Sequence, residues 1–87
     1  MEIVRKASAG TMESSDAYVE ITPAAGLQVE VQSAVMRQFG AAIDAAVRSV
    51  LQEQGVENAS IRIVDRGALE CVIRARVETA ILRGKGE

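Results

Sequence analysis

Apolar and polar positions alternate one by one in several segments of the first third of the chain, and the period changes to three and four residues in the segment that begins at Val35. Alternation puts successive side chains on opposite faces of a strand, so Ala7 to Met12 and Ala17 to Thr22 predict two strands. In the second, Ala17, Val19 and Ile21 share one face and Tyr18, Glu20 and Thr22 the other. Leu27, Val29 and Val31 alternate with Gln28, Glu30 and Gln32 as a third strand, and Pro23 and Gly26 supply the turn before it. Strands with one apolar face predict antiparallel pairing.

Beyond Val35, the positions Met36, Phe39, Ile43, Ala46, Val47, Val50 and Leu51 form the apolar stripe of an amphipathic helix. Ser33 is its expected N-cap and Gly55 its expected stop. Asp44 and Arg48 stand in the acid-first i,i+4 arrangement on the outer face. Ala59 to Val64 reads as another strand with Ile61 and Ile63 inward, and Asp65, Arg66 and Gly67 turn the chain.

The last segment fits both periods. Leu69, Cys71, Ile73, Ala75 and Val77 alternate like a strand, while Leu69, Val72, Ile73, Arg76, Val77, Ala80 and Ile81 fit a helical stripe. Helix over residues 70 to 83 is the better choice, because Val72 spoils the polar phase and the apolar pattern outruns an ordinary strand. Glu70, Arg74 and Glu78 then form an i,i+4 ladder. The sum is an α+β two-layer sandwich: an antiparallel sheet of about four strands with two helices on one face. The expected unit is one domain over residues 1–87, with the polar, glycine-rich residues 84–87 as a loose tail.

Composition narrows the function more than the fold. The chain carries ten Lys plus Arg against twelve Asp plus Glu, and Tyr18 and Phe39 are its only aromatic residues. A near-balanced charge and so few stacking rings argue against nucleic acid as a partner. The acids are unevenly placed: Glu2, Glu13, Asp16, Glu20 and Glu30 precede residue 35, opposed there only by Arg5 and Lys6. A solvated sheet face is the simpler meaning of that excess. No segment approaches bilayer-spanning length, which predicts no membrane partner, and the single cysteine fits a reducing, cytoplasmic compartment.

Candidate chemistry concentrates in GTMESSD, Gly10 to Asp16, where Ser14 and Ser15 lie between turn-forming residues at the expected hairpin tip. The chain contains no histidine, so no triad can activate either serine, and a solvated carboxylate is too weak a base to do so. A serine that is acted upon is the better chemical reading; residue types alone favour a plain polar turn. Cys71 is expected in the core rather than as a reactive thiol. Arg62, Arg66, Arg74 and Arg76 are expected on a solvated face rather than gathered around an anion. The acids have no metal-site spacing. Lys6 and Lys85 do not occupy a tight hairpin, which disfavours a lysine-based carrier.

AGTMESSDAYVEI near the N-terminus, QFGAAI in the first helix and DRGALECVIRARVETAILR near the C-terminus together resemble the citrate lyase acyl carrier (gamma subunit) family over nearly the whole chain. The resemblance implies that the serine after the glutamate, Ser14, carries 2'-(5''-phosphoribosyl)-3'-dephospho-CoA through a phosphodiester. The family commonly has glycine where this chain has Ser15, which makes Ser15 the second candidate. It implies a non-catalytic subunit that holds acetyl, exchanged for citryl by the acyltransferase (alpha) subunit and regenerated when the lyase (beta) subunit releases oxaloacetate. It also implies a prosthetic-group transferase and an acetyl-activating ligase as partners. Glu13 and Asp16 are candidates for transferase recognition or for placing a phosphate-bound magnesium ion, in which case neutralising both slows attachment. Ordinary phosphopantetheine carriers differ, being helical bundles with Asp-Ser-Leu at a helix start, whereas here Ser15 precedes Asp16. The alternatives are the carrier subunit of malonate decarboxylase and a non-enzymatic interaction module with an unmodified serine loop.

Overall fold

The computed structural model describes residues 2–33 and 36–86, residues 36–38 by their backbone. The elements run β1 (Ala7–Gly10), β2 (Ala17–Thr22), β3 (Leu27–Ser33), α1 (Met36–Glu53), β4 (Ala59–Asp65) and α2 (Glu70–Gly84). The α+β class and the helical reading of the last segment hold. The first strand is shorter than expected, ending at Gly10, and Met12 is exposed in the loop that follows.

One sheet is formed in the order β1-β2-β4-β3. β1 and β2 make the antiparallel hairpin, pairing Ala7 with Ile21 and Gly10 with Tyr18, and β2 pairs antiparallel with β4. β3 instead lies parallel to β4, with Val29 opposite Ile61 and Val31 opposite Ile63. The expected wholly antiparallel sheet is therefore corrected to a mixed one. Alternation reports which faces are wet, not strand direction: β3 and β4 are joined through α1, and a helical crossover returns the chain parallel. β3 keeps its alternating pattern because the helices cover only one face of the sheet, as the alternation of the central strands β2 and β4 also shows.

Both helices cover the same face. α2 packs on β1 and β2, α1 on β3, and the two helices on each other. Beneath them Ala17, Val19, Ile21, Ala59, Ile61 and Ile63 form the sheet's side of the core. Ile43, Val47, Val50 and Leu51 of α1 and Ile73, Val77, Ala80 and Ile81 of α2 close it. Each fully buried Val, Leu or Ile stabilises the fold by roughly 1.5–3 kcal/mol.

Several local expectations change. Phe39, placed on the buried stripe by its spacing, is 52% exposed. Cys71 is exposed, because Ile73 and Val77 set the buried side of α2 and residue 71 falls off it. Arg74 leaves the expected ladder with Glu70 and Glu78 and reaches Glu53 of α1, holding the Glu53 carboxyl below its usual range together with the Ser49 hydroxyl. Asp44 and Arg48 do pair, at 2.8 Å. Ser33 ends β3 with its hydroxyl donated to Asp65 at 2.8 Å; the junction at residues 34–35, where its capping role falls, lies outside the described residues. Gly84, read as the start of a tail, closes α2 in a buried position.

Candidate functional site

Gly10 ends β1 with φ +89, and a Cβ there would stand 1.8 Å from the Ala17 carbonyl oxygen. Only glycine permits the hairpin to close this tightly at the base of the loop. Inside the loop, the Asp16 N–H donates to the Glu13 carbonyl at 3.2 Å, making Glu13-Ser14-Ser15-Asp16 a four-residue turn with the two serines as its central pair. Ser15 is the one non-glycine residue with positive φ, +67, among the described residues. Glycine suits that place best, since an L side chain there crowds the carbonyl.

The loop is fastened from three directions. The Ser15 N–H donates to the Arg66 carbonyl at 2.8 Å, and the Arg66 N–H to the Asp16 carbonyl at 2.9 Å, tying the turn to the end of β4. The Thr11 hydroxyl donates to Asp16 Oδ2 at 2.7 Å and accepts the Glu13 N–H at 3.2 Å. Arg76, 60 residues away on α2, forks onto Asp16, Nε to Oδ1 at 3.0 Å and Nη2 to Oδ2 at 3.1 Å. Asp16 Oδ1 also accepts the Ala17 N–H at 2.7 Å. The Thr11 hydroxyl, then Arg76, then the Ala17 amide hold the Asp16 carboxyl down at about 2 against an ordinary 3.8.

What remains open is Ser14. It is exposed at the tip, and its hydroxyl has no hydrogen-bond partner among the described residues. Ser15 is exposed as well, but its backbone is committed to the scaffold. Glu13 also stands in water, whereas Asp16 spends both oxygens within the protein. The other arginines do not join Arg76: Arg62 donates to Gln32 at 3.3 Å, Arg74 goes to Glu53, and Arg66 is exposed. Among the described residues, no group of three His, Cys, Asp or Glu side chains gathers to hold a metal, and no helix is long and apolar enough to cross a membrane.

Sequence reasoning missed Arg76 and Thr11 as parts of this site. Thr11 left a local signal, a hydroxyl within one loop of an acid, but Arg76 was one of several arginines and nothing in its spacing pointed at Asp16.

The site is a fixed turn on a small sheet that presents the side chains of Ser14 and Ser15 to water, in a chain without histidine. The family model described as "Malonate decarboxylase delta subunit (MdcD)", within the ACP family, matches residues 4–84. The citrate lyase acyl carrier protein of Klebsiella pneumoniae is 54% identical over 85 residues, covering 95% of this chain and 88% of that one. Citrate lyase acyl carrier protein 2 of Salmonella typhimurium is 49% identical with the same coverage, 95% and 88%. That of Haemophilus influenzae is 46% identical over 87 residues, 100% of this chain and 92% of the relative. The chain belongs to the citrate lyase acyl carrier protein family.

Proposed function

We propose that this protein is the acyl carrier subunit of a cytoplasmic citrate lyase and that Ser14 is the attachment point of its 2'-(5''-phosphoribosyl)-3'-dephospho-CoA group. The observation that carries the reading is the contrast within one loop: Thr11 and Asp16 are held by hydrogen bonds, while the Ser14 hydroxyl faces water unbonded. Such a hydroxyl suits a phosphodiester link, because the transferase reaches it without breaking a native contact.

The attached group supplies the thiol on which acetyl and citryl are held as thioesters. The protein's own residues position and do not catalyse. Gly10 closes the loop, Asp16 and Arg76 pin it to α2, and the Ser15 and Arg66 amides pin it to β4. A rigid mount leaves the arm as the only moving part, and tethering replaces dilute encounter with an effective concentration of about millimolar for short flexible links. The acyltransferase and lyase subunits, the group-installing transferase and the acetyl-activating ligase are the partners this role requires.

Intact-mass measurement of the full chain coexpressed with its modifying enzymes tests the assignment. The parent and Ser15→Ala should gain the mass of the group and Ser14→Ala should not; an adduct surviving Ser14→Ala overturns the site, and no adduct on any form favours an unmodified interaction module. The family description also names malonate decarboxylase, so a second reading is its carrier subunit. Adding the partner subunits with citrate or with malonate and reading the acyl mass separates the two; the 54% identity to a citrate lyase carrier favours citrate.

A further inference from the structure

A cleft of about 420 Å³ opens between α1 and α2, walled by Phe39, Ala42, Ile43, Ala46 and Ile73 and floored by Asp65 and the stretch from Gly67 to Leu69. One observation connects it to the serine loop, and a second concerns its rim. The loop is hydrogen-bonded to Arg66, through the Ser15 and Arg66 amides, and the residues that follow, Gly67, Ala68 and Leu69, line the cleft. Phe39 and Leu69, 52% and 72% exposed, leave large apolar surface in water at its edges. Exposed apolar side chains beside an apolar cleft extend the surface open to an apolar occupant.

The charges of the cleft restrict what that is. Its ionisable lining is acidic: Glu70, exposed, and Asp65, buried at 3% exposure with Oδ1 taken by the Gly67 and Ala68 amides and Oδ2 by the Ser33 hydroxyl. None of the described side chains that line it is a Lys or Arg. The described lining favours a neutral, slender, apolar occupant over an anionic one, which meets like charge from Glu70.

Resting on the proposed function, we infer that this cleft is the parking site for the neutral acetyl-thioester end of the arm anchored at Ser14, and that it rejects the citryl form. An acetyl thioester carries no charge, whereas a citryl thioester carries carboxylates. Acetyl would then dwell against the carrier, shielded from water, and exchange for citryl would release the arm to the lyase subunit. The binding site would thereby sort the two acyl states by charge alone.

The test is amide and methyl chemical-shift mapping of the full-length carrier bearing its group, as free thiol, acetyl and citryl forms, each verified by intact mass. Acetylation should move signals of Ala42, Ile43, Ala46, Ala68 and Ile73, and the citryl form should leave them where the free thiol has them. Ala42→Phe, at an exposed helix position, should fill the cleft, abolish those shifts and speed hydroxylamine cleavage of the acetyl thioester roughly threefold, the protection that two-thirds occupancy gives. Shifts confined to residues 11–16 in every form, or equal cleft shifts with acetyl and citryl, overturn the inference alone. Cleft shifts that depend on protein concentration without the arm make a second copy the occupant and overturn it too. Absence of any adduct at Ser14 overturns it together with the reading beneath it.

Discussion

Ser15 carries the local tension of the site: its φ of +67 is a conformation that an L side chain adopts at a cost of about 1–2 kcal/mol. Glycine removes that cost and gives back part of it as greater freedom when unfolded. Ser15→Gly should therefore raise stability by up to about 1 kcal/mol in urea unfolding while Ser14 is still modified; a fall in stability would contradict the strained-turn account. Asp16 sets a second expectation. Its carboxyl is held at about 2 against 3.8, chiefly by Thr11 and Arg76, so the folded state prefers it ionised. A depressed acid contributes its stability fully above the unfolded value and loses it as pH falls through the folded one. Asp16→Asn should thus be less stable than the parent near pH 5, and the gap should shrink by about pH 2; an unchanged gap would show that the fork from Arg76 contributes nothing.

At the scale of elements, the hairpin and the two helices follow from period, while their joints follow from contacts. Gly10 is such a joint: a methyl group would meet the Ala17 carbonyl oxygen at 1.8 Å and the Arg76 Cδ at 3.2 Å, on a backbone at φ +89. Gly10→Ala should cost more than about 2 kcal/mol and blunt modification of Ser14, since strain and steric overlap both act at the base of its loop. A variant as stable as the parent would mean that the loop is not closed this tightly. Phe39 and Cys71 show why a helical period is only a partial guide. Spacing locates a stripe to within about a residue or two, and burial at its edges depends on where the neighbouring helix ends.

At the scale of the molecule, the first and last described segments are bound to each other. The Gly84 carbonyl accepts the Val4 and Arg5 amides at 2.9 and 3.2 Å, and a Cβ on Gly84 would stand 3.2 Å from Ile21 and 3.3 Å from Ile3. Ending the chain at Arg83 should cost about 1–3 kcal/mol through those two bonds and expose the Val4 and Arg5 amides to rapid hydrogen exchange. Unchanged protection of both amides would remove Gly84 from the scaffold. Arg74 and Glu53 join α2 to α1, and Arg76 and Asp16 join α2 to the serine loop. α2 is the element through which the loop, the hairpin and α1 are held in one frame.

The sequence by itself determined the α+β class, the periods of its elements, the hairpin and the position of its polar tip, because side-chain alternation and turn chemistry are local. Near-full-length resemblance added the family. Tertiary structure alone decided that β3 runs parallel to β4, that Asp16 belongs to Arg76, and that an apolar cleft opens beside the turn holding Ser15. Each of these joins residues far apart in the chain, and a pairing made by folding leaves no spacing to read before the chain has folded.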